Sequence, residues 1–423
     1  MFDDKPIHPR ISLLILLSFL FTIPIISDAQ EAKRAIDPIK ERQQLDYKIQ
    51  LDVITSGYDG ETNWFHPRAG VIPGEKPAII LTMQKWWIER SDVFFALSHL
   101  LSSDLGKSWT VPEEQTHTLG RRSEGDGVEV GVSDFTPKLH AKSGKLLGTG
   151  HTVRYRDNHL INSAIRKRST AWSVYDSKQN TWSPWATLKL PELPMFFSEG
   201  AGSTQRVDLP NGDILLPTYF KEKGVDAYKA TVLRCQFNGK ELEYIEHGDI
   251  LEYPTGRGFP EPSLAFFKDR FFLTLRNNDC SYVAVGKDGL HFSTPQVWRF
   301  DDGQDLGSYN TQQHWVTHSD GLFLVYTRRG ADNENVIRHR APLFIARVDP
   351  ERLVIIRESE RVLVPNKGAQ LGNFGIVNVN ENETWITTSE GMSEAEPTKY
   401  GADGRVYAAR IIWSLPNKNW DQD

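Results

Sequence analysis

The chain has 423 residues, with 49 Lys and Arg against 55 Asp and Glu, a formal charge of -6, and 39% hydrophobic residues. That is the composition of a globular chain; the weak acidity and the lack of a basic block argue against nucleic acid as a partner and give no support for binding to an anionic membrane, so an acidic ligand requires a local basic pocket. Cys235 and Cys280 are the only cysteines, which leaves no disulfide framework and no cysteine-based zinc site; they form one bridge or remain two free thiols.

The N-terminus sets Lys5 and Arg10 ahead of an apolar run from Ile11 to Ile26, followed by the small residues Ser27 and Ala29. Residues 1–29 therefore read as a secretory signal peptide cut after Ala29, making the protein secreted or periplasmic with no stable membrane insertion after cleavage. The run is short for a membrane span and contains Pro24. Residues 30–46 are a polar leader without an apolar face, and residues 47–423 read as one domain. The alternating stretch Tyr47 to Thr55 is expected to pair with the strand-like Arg405 to Ser414 and close a ring.

One pattern recurs along the rest of the chain: AIILTMQ from Ala78, KLLGTGH from Lys145, DILLPTY from Asp213, RFFLTLR from Arg270, LFLVYTR from Leu322 and TWITTSE from Thr384, at intervals of 67, 68, 57, 52 and 62 residues. Each copy follows a turn and an earlier apolar strand and precedes one or two further strand-like runs. The expected fold is all-β, a six-bladed β-propeller of four-stranded antiparallel blades. In such a ring the inner-strand starts crowd the axis; they are expected at Arg68, Asp134, Gln205, Glu261, His314 and Asn373. The second strands end there too, at Gln84, His151, Tyr219, Arg276, Arg328 and Glu390. The fourth unit states the idea most clearly, because Glu261 opens and Arg276 closes one apolar hairpin and so both reach the same rim.

Ser102, Asp104, Gly106, Ser108 and Trp109 form an SxDxGx[ST]W box, with looser copies at Ser173 to Trp182 and Gly286 to Phe292. Its Asp and Ser oxygens suit the backbone N–H groups of a tight turn, Gly suits positive φ, and Trp wedges into the blade, so the box is structural.

Six repeats, these boxes and the leader resemble the sialidase superfamily of Asp-box propellers, from Arg68 to Glu390. The resemblance implies an exo-acting glycoside hydrolase that removes a carboxylated sugar such as sialic acid from a glycan, with no cofactor and no metal. It implies further that Arg68 (in FHPRAGVIP), Arg276 and Arg340 hold the substrate carboxylate, with Asp92 and Glu261 in proton chemistry. Asp92 in that role needs a pKa raised by burial. The family's tyrosine nucleophile has no counterpart, because GNFGIVNV sets Phe374 at that place. His66, His151, His314 and His339, with Tyr219 and Tyr309, fall on or beside rim positions and are candidates for an additional site. Two other readings stay open: a propeller-type polysaccharide lyase acting on uronates, with His or Tyr as base, and a noncatalytic glycan-binding propeller.

Overall fold

Strands Ser263–Phe267 and Arg270–Leu275 pair antiparallel, with Ser263 opposite Thr274 and Phe267 opposite Arg270. Leu264, Phe272, Leu273 and Leu275 are buried on this hairpin, and each such side chain contributes about 1.5–3 kcal/mol by leaving water. Lys268 and Asp269 turn the corner with φ of 48° and 61°. The same unit recurs around the molecule in a computed structural model that describes residues 45–421 except 75–76, 91, 163, 254–255 and 394–396. The stretch expected to be a signal peptide, and all of the expected polar leader but residues 45 and 46, lie outside the described residues.

Six small antiparallel sheets are present among the described residues, of four to seven strands each. In chain order, the first three strands of each blade are Thr62–Ile72, Ala78–Trp87 and Phe94–Ser102 in blade 1, and Val128–His140, Lys145–Arg156 and Thr170–Asp176 in blade 2. Blade 3 starts on the interrupted pair Ser198–Gly200 and Val207–Asp208, then Asp213–Lys221 and Lys229–Phe237. Blade 4 adds Tyr282–Gly286 to the hairpin above; blade 5 has His314–His318, Gly321–Tyr326 and Leu343–Asp349; blade 6 has Gly375–Asn380, Glu383–Ser389 and Arg405–Trp413. Tyr47–Ser56 pairs antiparallel with Arg405–Trp413, so the first described strand completes the last blade and removes an open edge.

Apolar side chains fill the spaces between blades. Phe374, Ile386 and Leu371 pack with Val325 and Leu343, whereas Trp315 and Phe272 join blades 4 and 5. In the Asp box Ser108 N–H donates to Asp104 Oδ1 at 2.9 Å, Gly106 N–H to Ser102 Oγ at 2.7 Å, and the Ser108 hydroxyl to Asp104 Oδ2 at 2.7 Å. Gly106 has φ of 81° and sits so close to Trp385 of the neighbouring blade that a Cβ there would stand 2.6 Å from the indole. The box thus ties a turn to the next blade, away from the axis. Cys235 and Cys280 are both free thiols, the first buried. No helix among the described residues is long and apolar enough to cross a membrane.

Candidate active site

The mouth of the ring is shaped by one backbone device used five times. His66 and Asp134, within inner strands, and Ser203, Glu261 and Asn310, two to four residues ahead of one, have φ of 53°, 54°, 56°, 54° and 44°. In blades 1 and 2 the device is a bulge: two residues lie between Phe65 and Arg68 and between Ser133 and Thr136 where the partner strand has one. Left-handed backbone at a non-glycine residue costs of order 1–3 kcal/mol, and here it recurs at one end of five blades. The sequence places the rim correctly at Asp134 and Glu261. At Arg68, Gln205 and His314 it looks past it, because the kink that aims a side chain at the axis falls two to four residues earlier, at His66, Ser203 and Asn310.

The cleft behind this mouth has a volume of about 890 Å³. Of the residues expected at the site, Asp92, Glu261, Arg276, Arg340, His66, His151, Tyr219 and Tyr309 line it. Arg68 and His314 do not. Arg68 is 1% exposed and lies under the floor, donating from Nη2 to Ser203 Oγ at 2.8 Å, to Gln312 Oε1 at 3.3 Å and to Asp134 Oδ1 at 3.4 Å. It braces the floor rather than facing a ligand. The His314 Nδ1 is 2.8 Å from Ser263 Oγ, and its ring meets Phe374 edge-on with centroids 5.0 Å apart. Phe374 itself is fully buried beneath the floor, while its neighbour Asn373 lines the cleft. A second cavity of about 270 Å³ opens at the turn end of the inner strands, lined by Pro73, Pro137, Trp315 and Trp420, with mostly apolar walls. Between the two, Gln205 and Gln312 close the axis, Gln205 accepting from Trp315 N–H at 2.6 Å and Gln312 donating to Phe374 carbonyl oxygen at 2.6 Å.

Two groups of side chains dominate the cleft. On the side of blades 4 and 5, Arg276 Nη1 donates to Glu261 and its Nη2 to Asn310 Oδ1 at 2.7 Å. Arg340 Nη2 donates to the Asn310 carbonyl oxygen at 2.9 Å and Nη1 to Gln370 Oε1 at 3.1 Å. Asn310, which no sequence pattern singles out, therefore couples the two guanidiniums. Each is 5% exposed and keeps a buried Nε without a partner among the described residues. Burial, then the nearby Arg276 and Arg338 charges, push the Arg340 pKa well below its ordinary value; this is a site that an anion would relieve.

On the side of blades 1 to 3, Asp134 sits between two histidines. His66 Nε2 lies 3.1 Å from Oδ1, His151 Nε2 lies 3.6 Å from Oδ2, and the Ser203 hydroxyl donates to Oδ1. His151 Nδ1 is 3.3 Å from the Tyr219 hydroxyl. Burial alone would raise the Asp134 pKa; His66, His151, Arg68 and Ser203 outweigh it and hold the carboxyl well below the usual range. Burial brings His66 down to about 4 and His151 well below its ordinary value, so both rings are neutral near pH 7. Burial pushes the Tyr219 phenol up. The line Tyr219, His151, Asp134 has the order of a hydroxyl, a base and an orienting carboxylate. Asp92 stands exposed on the rim with φ of 54°, without the burial that its expected acid role calls for. Tyr309 is half-buried beneath the Arg329 guanidinium, 3.9 Å from its ring centre. Arg328 and Glu390 serve the scaffold: Arg328 Nη2 donates to Glu360 at 2.7 Å, and Glu390 accepts three backbone N–H groups from Asp403 to Arg405.

No family model matches the chain, and no curated protein matches it. Solved structures do. A protein of unknown function from Dyadobacter fermentans superposes with a TM-score of 0.62 at 15% identity, over 87% of this chain and 99% of that one. Trypanosoma rangeli sialidase gives 0.58 at 11% identity over 88% of this chain, which spans 59% of that enzyme's length. The Hadza microbial sialidase Hz136 gives 0.57 at 12% identity, over 84% of this chain and 66% of that one. The chain has the sialidase propeller fold. At these identities the likeness is one of fold.

Proposed function

We propose that the protein is a glycan-processing enzyme that takes a carboxylated sugar, and that it releases that sugar by hydrolysis. The observation that carries this reading is the coupling of Arg276 and Arg340 through Asn310 beside Glu261. Two guanidiniums with unsatisfied Nε–H groups form a fork suited to a carboxylate, with a carboxyl group next to it for proton transfer. Asp92, on the rim of the same cleft, is the partner for the leaving oxygen. The similarity in fold to sialidases supports a sugar ligand.

A second reading, elimination on a uronate, is favoured by the Tyr219, His151 and Asp134 line. There the carboxylate held by the arginines would acidify the adjacent C–H, the neutral His151 ring would take that proton, and the C–O bond would break to leave a double bond as the departing oxygen takes the Tyr219 phenol proton. Product masses separate the two: hydrolysis yields products summing to substrate plus water, elimination to substrate alone. Incubation with a panel of sialylated and uronate-containing oligosaccharides, read by mass, tests both. No cleavage across the panel, with binding retained, leaves a glycan-binding propeller instead.

A further inference from the structure

We infer that the cleft contains a second oxyanion subsite, formed by Arg166 and Arg168, and that the glycan it accepts carries two acidic groups. The identity of the ligand rests on the acidic-glycan reading above; the subsite itself does not.

The sequence repeats a short motif at one place in two blades. Ile165-Arg166-Lys167-Arg168 precedes the third strand of blade 2, Thr170–Asp176, and Ile337-Arg338-His339-Arg340 precedes the third strand of blade 5, Leu343–Asp349. In a ring of six, blades 2 and 5 face each other across the axis. The two motifs thus bring guanidiniums to opposite sides of one cleft, and Arg166, Arg168, Arg338 and Arg340 all line it.

The blade 2 pair is buried and forms no salt bridge among the described residues, although the charges of Asp92, Asp134, Glu261 and Glu199 reach it from a distance. Arg166 and Arg168 are 9% and 8% exposed. Neither has an ion-pair partner among the described residues, and the Arg166 side chain has no hydrogen bond among them. Arg168 has one, from Nη1 to the Tyr228 hydroxyl at 3.4 Å, and its Nε is buried without a partner. Its guanidinium lies 5.2 Å from the Tyr219 ring centre and 5.6 Å from that of Tyr228, whose face also carries Lys221 Nζ at 4.8 Å. Aromatic faces help hold such cations but satisfy no N–H group. Burying like charges side by side without a salt-bridged carboxylate is costly, and a chain selected for stability alone would set an apolar pair or an acid in direct contact there. The acids that reach this pair are engaged with other donors, Asp134 with His66 and Ser203, Glu261 with Arg276 and the buried Glu199 with Thr170 and Thr218, while Asp92 stands exposed on the rim and forms no salt bridge to either arginine. What remains for the Arg166 and Arg168 donors is an oxyanion of the ligand, a second carboxylate or a sulfate ester on the same oligosaccharide.

The test uses the full chain and its Arg166→Met/Arg168→Met variant. Calorimetric titration compares digalacturonate, an α2,8-linked sialic acid dimer and a singly sulfated uronate disaccharide, each with a counterpart carrying one acidic group. In the wild type each two-acid probe that fits is expected to bind about tenfold more tightly than its counterpart, as a charge-assisted bidentate contact allows; which one gains identifies carboxylate or sulfate. In the variant the advantage vanishes while the one-acid probes keep their affinity. An unchanged advantage in the variant overturns the subsite. Inorganic sulfate, balanced with chloride at constant ionic strength, provides a readout that needs no glycan. It is expected to raise the wild-type unfolding temperature more than that of the variant, which without sulfate melts at or above the wild type. Equal sulfate responses, or a variant that melts earlier without sulfate, overturn the subsite as well. If no acidic sugar binds the wild type while the sulfate difference holds, the subsite stands and the glycan reading fails.

Discussion

Glu261 accepts from Arg276 Nη1 across the open end of a hairpin, 15 residues away in sequence and just beyond the last register pair, Ser263 opposite Thr274. The pair exists because antiparallel pairing returns the chain to its starting end, and because Glu261 takes a left-handed backbone, φ 54°, that turns its carboxylate to the axis. Arg276 meets Glu261 with one terminal nitrogen and Asn310 with the other, so its position is fixed before any ligand arrives. Preorganisation of this kind is what makes a buried cation effective on an anionic substrate.

Arg276→Ala is accordingly expected to lower kcat/KM on an acidic glycan by about 10²–10³-fold, the scale on which a preorganised electrostatic contact contributes. Arg276→Lys should recover only part of it, since a single ammonium cannot hold both Glu261 and Asn310 as the planar fork does. Circular dichroism and a melting curve check the fold of each variant. Turnover at the wild-type level in Arg276→Ala removes the carboxylate assignment.

Phe374→Tyr asks whether the missing phenol can be restored. The ring is fully buried, edge-on to His314 and under the floor, so a hydroxyl added there has neither room nor access to the cleft. Activity is expected not to rise, and stability to fall by about 1–3 kcal/mol from overpacking and an unsatisfied hydroxyl. Denaturant unfolding measures the loss, and a gain in turnover would show that the position does reach substrate.

Period-2 strands, turns and a repeat of 52 to 68 residues made the ring readable in the sequence. So was the meeting of Glu261 with Arg276, which needs only hairpin register. What the pattern hides is the bulge. Strand periodicity carries no mark for a single left-handed residue, so Arg68 reads as a rim residue although the kink is at His66, and Arg68 folds beneath the floor. His314 is displaced in the same way from the kink at Asn310. Arg166 and Arg168 lie in a connection rather than a strand, yet the matching Ile-Arg-x-Arg stretches of units two and five were available as a signal.

Gly202→Ala probes the Tyr219 and His151 line without touching either side chain. A Cβ at Gly202 would lie 1.8 Å from His151 Nδ1 and 2.9 Å from Asp134 Cβ, so the ring must leave its contact with the Tyr219 hydroxyl. If that line conducts the chemistry, Gly202→Ala and Tyr219→Phe should each lower kcat by roughly 10²–10⁴-fold, the range of general acid–base catalysis, with little change in KM. Retained kcat in both variants assigns Tyr219 and His151 to the floor of the cleft and leaves the proton chemistry to Glu261 and Asp92.

The buried histidines set the response to acid. His66 and His314 are brought by burial to about 4 and about 3, against 6.5 in an unfolded chain. As pH falls below 6.5 the unfolded chain takes up protons that the folded one refuses, so stability is fully present above about 6.5 and declines as pH falls toward those lower values. For His66 alone the loss is roughly 3 kcal/mol by pH 4. Carboxylates held low in the fold, such as Asp104 and Asp288 at about 2, act in a separate window below their ordinary 3.8. Denaturant midpoints measured at pH 7, 5.5 and 4.5 should therefore fall before those acids titrate, and His66→Gln should flatten the decline over that interval. An unaltered slope in His66→Gln would mean that His66 is protonated as readily in the folded protein as in the unfolded chain, and would remove the neutral-ring arrangement around Asp134 on which the relay depends.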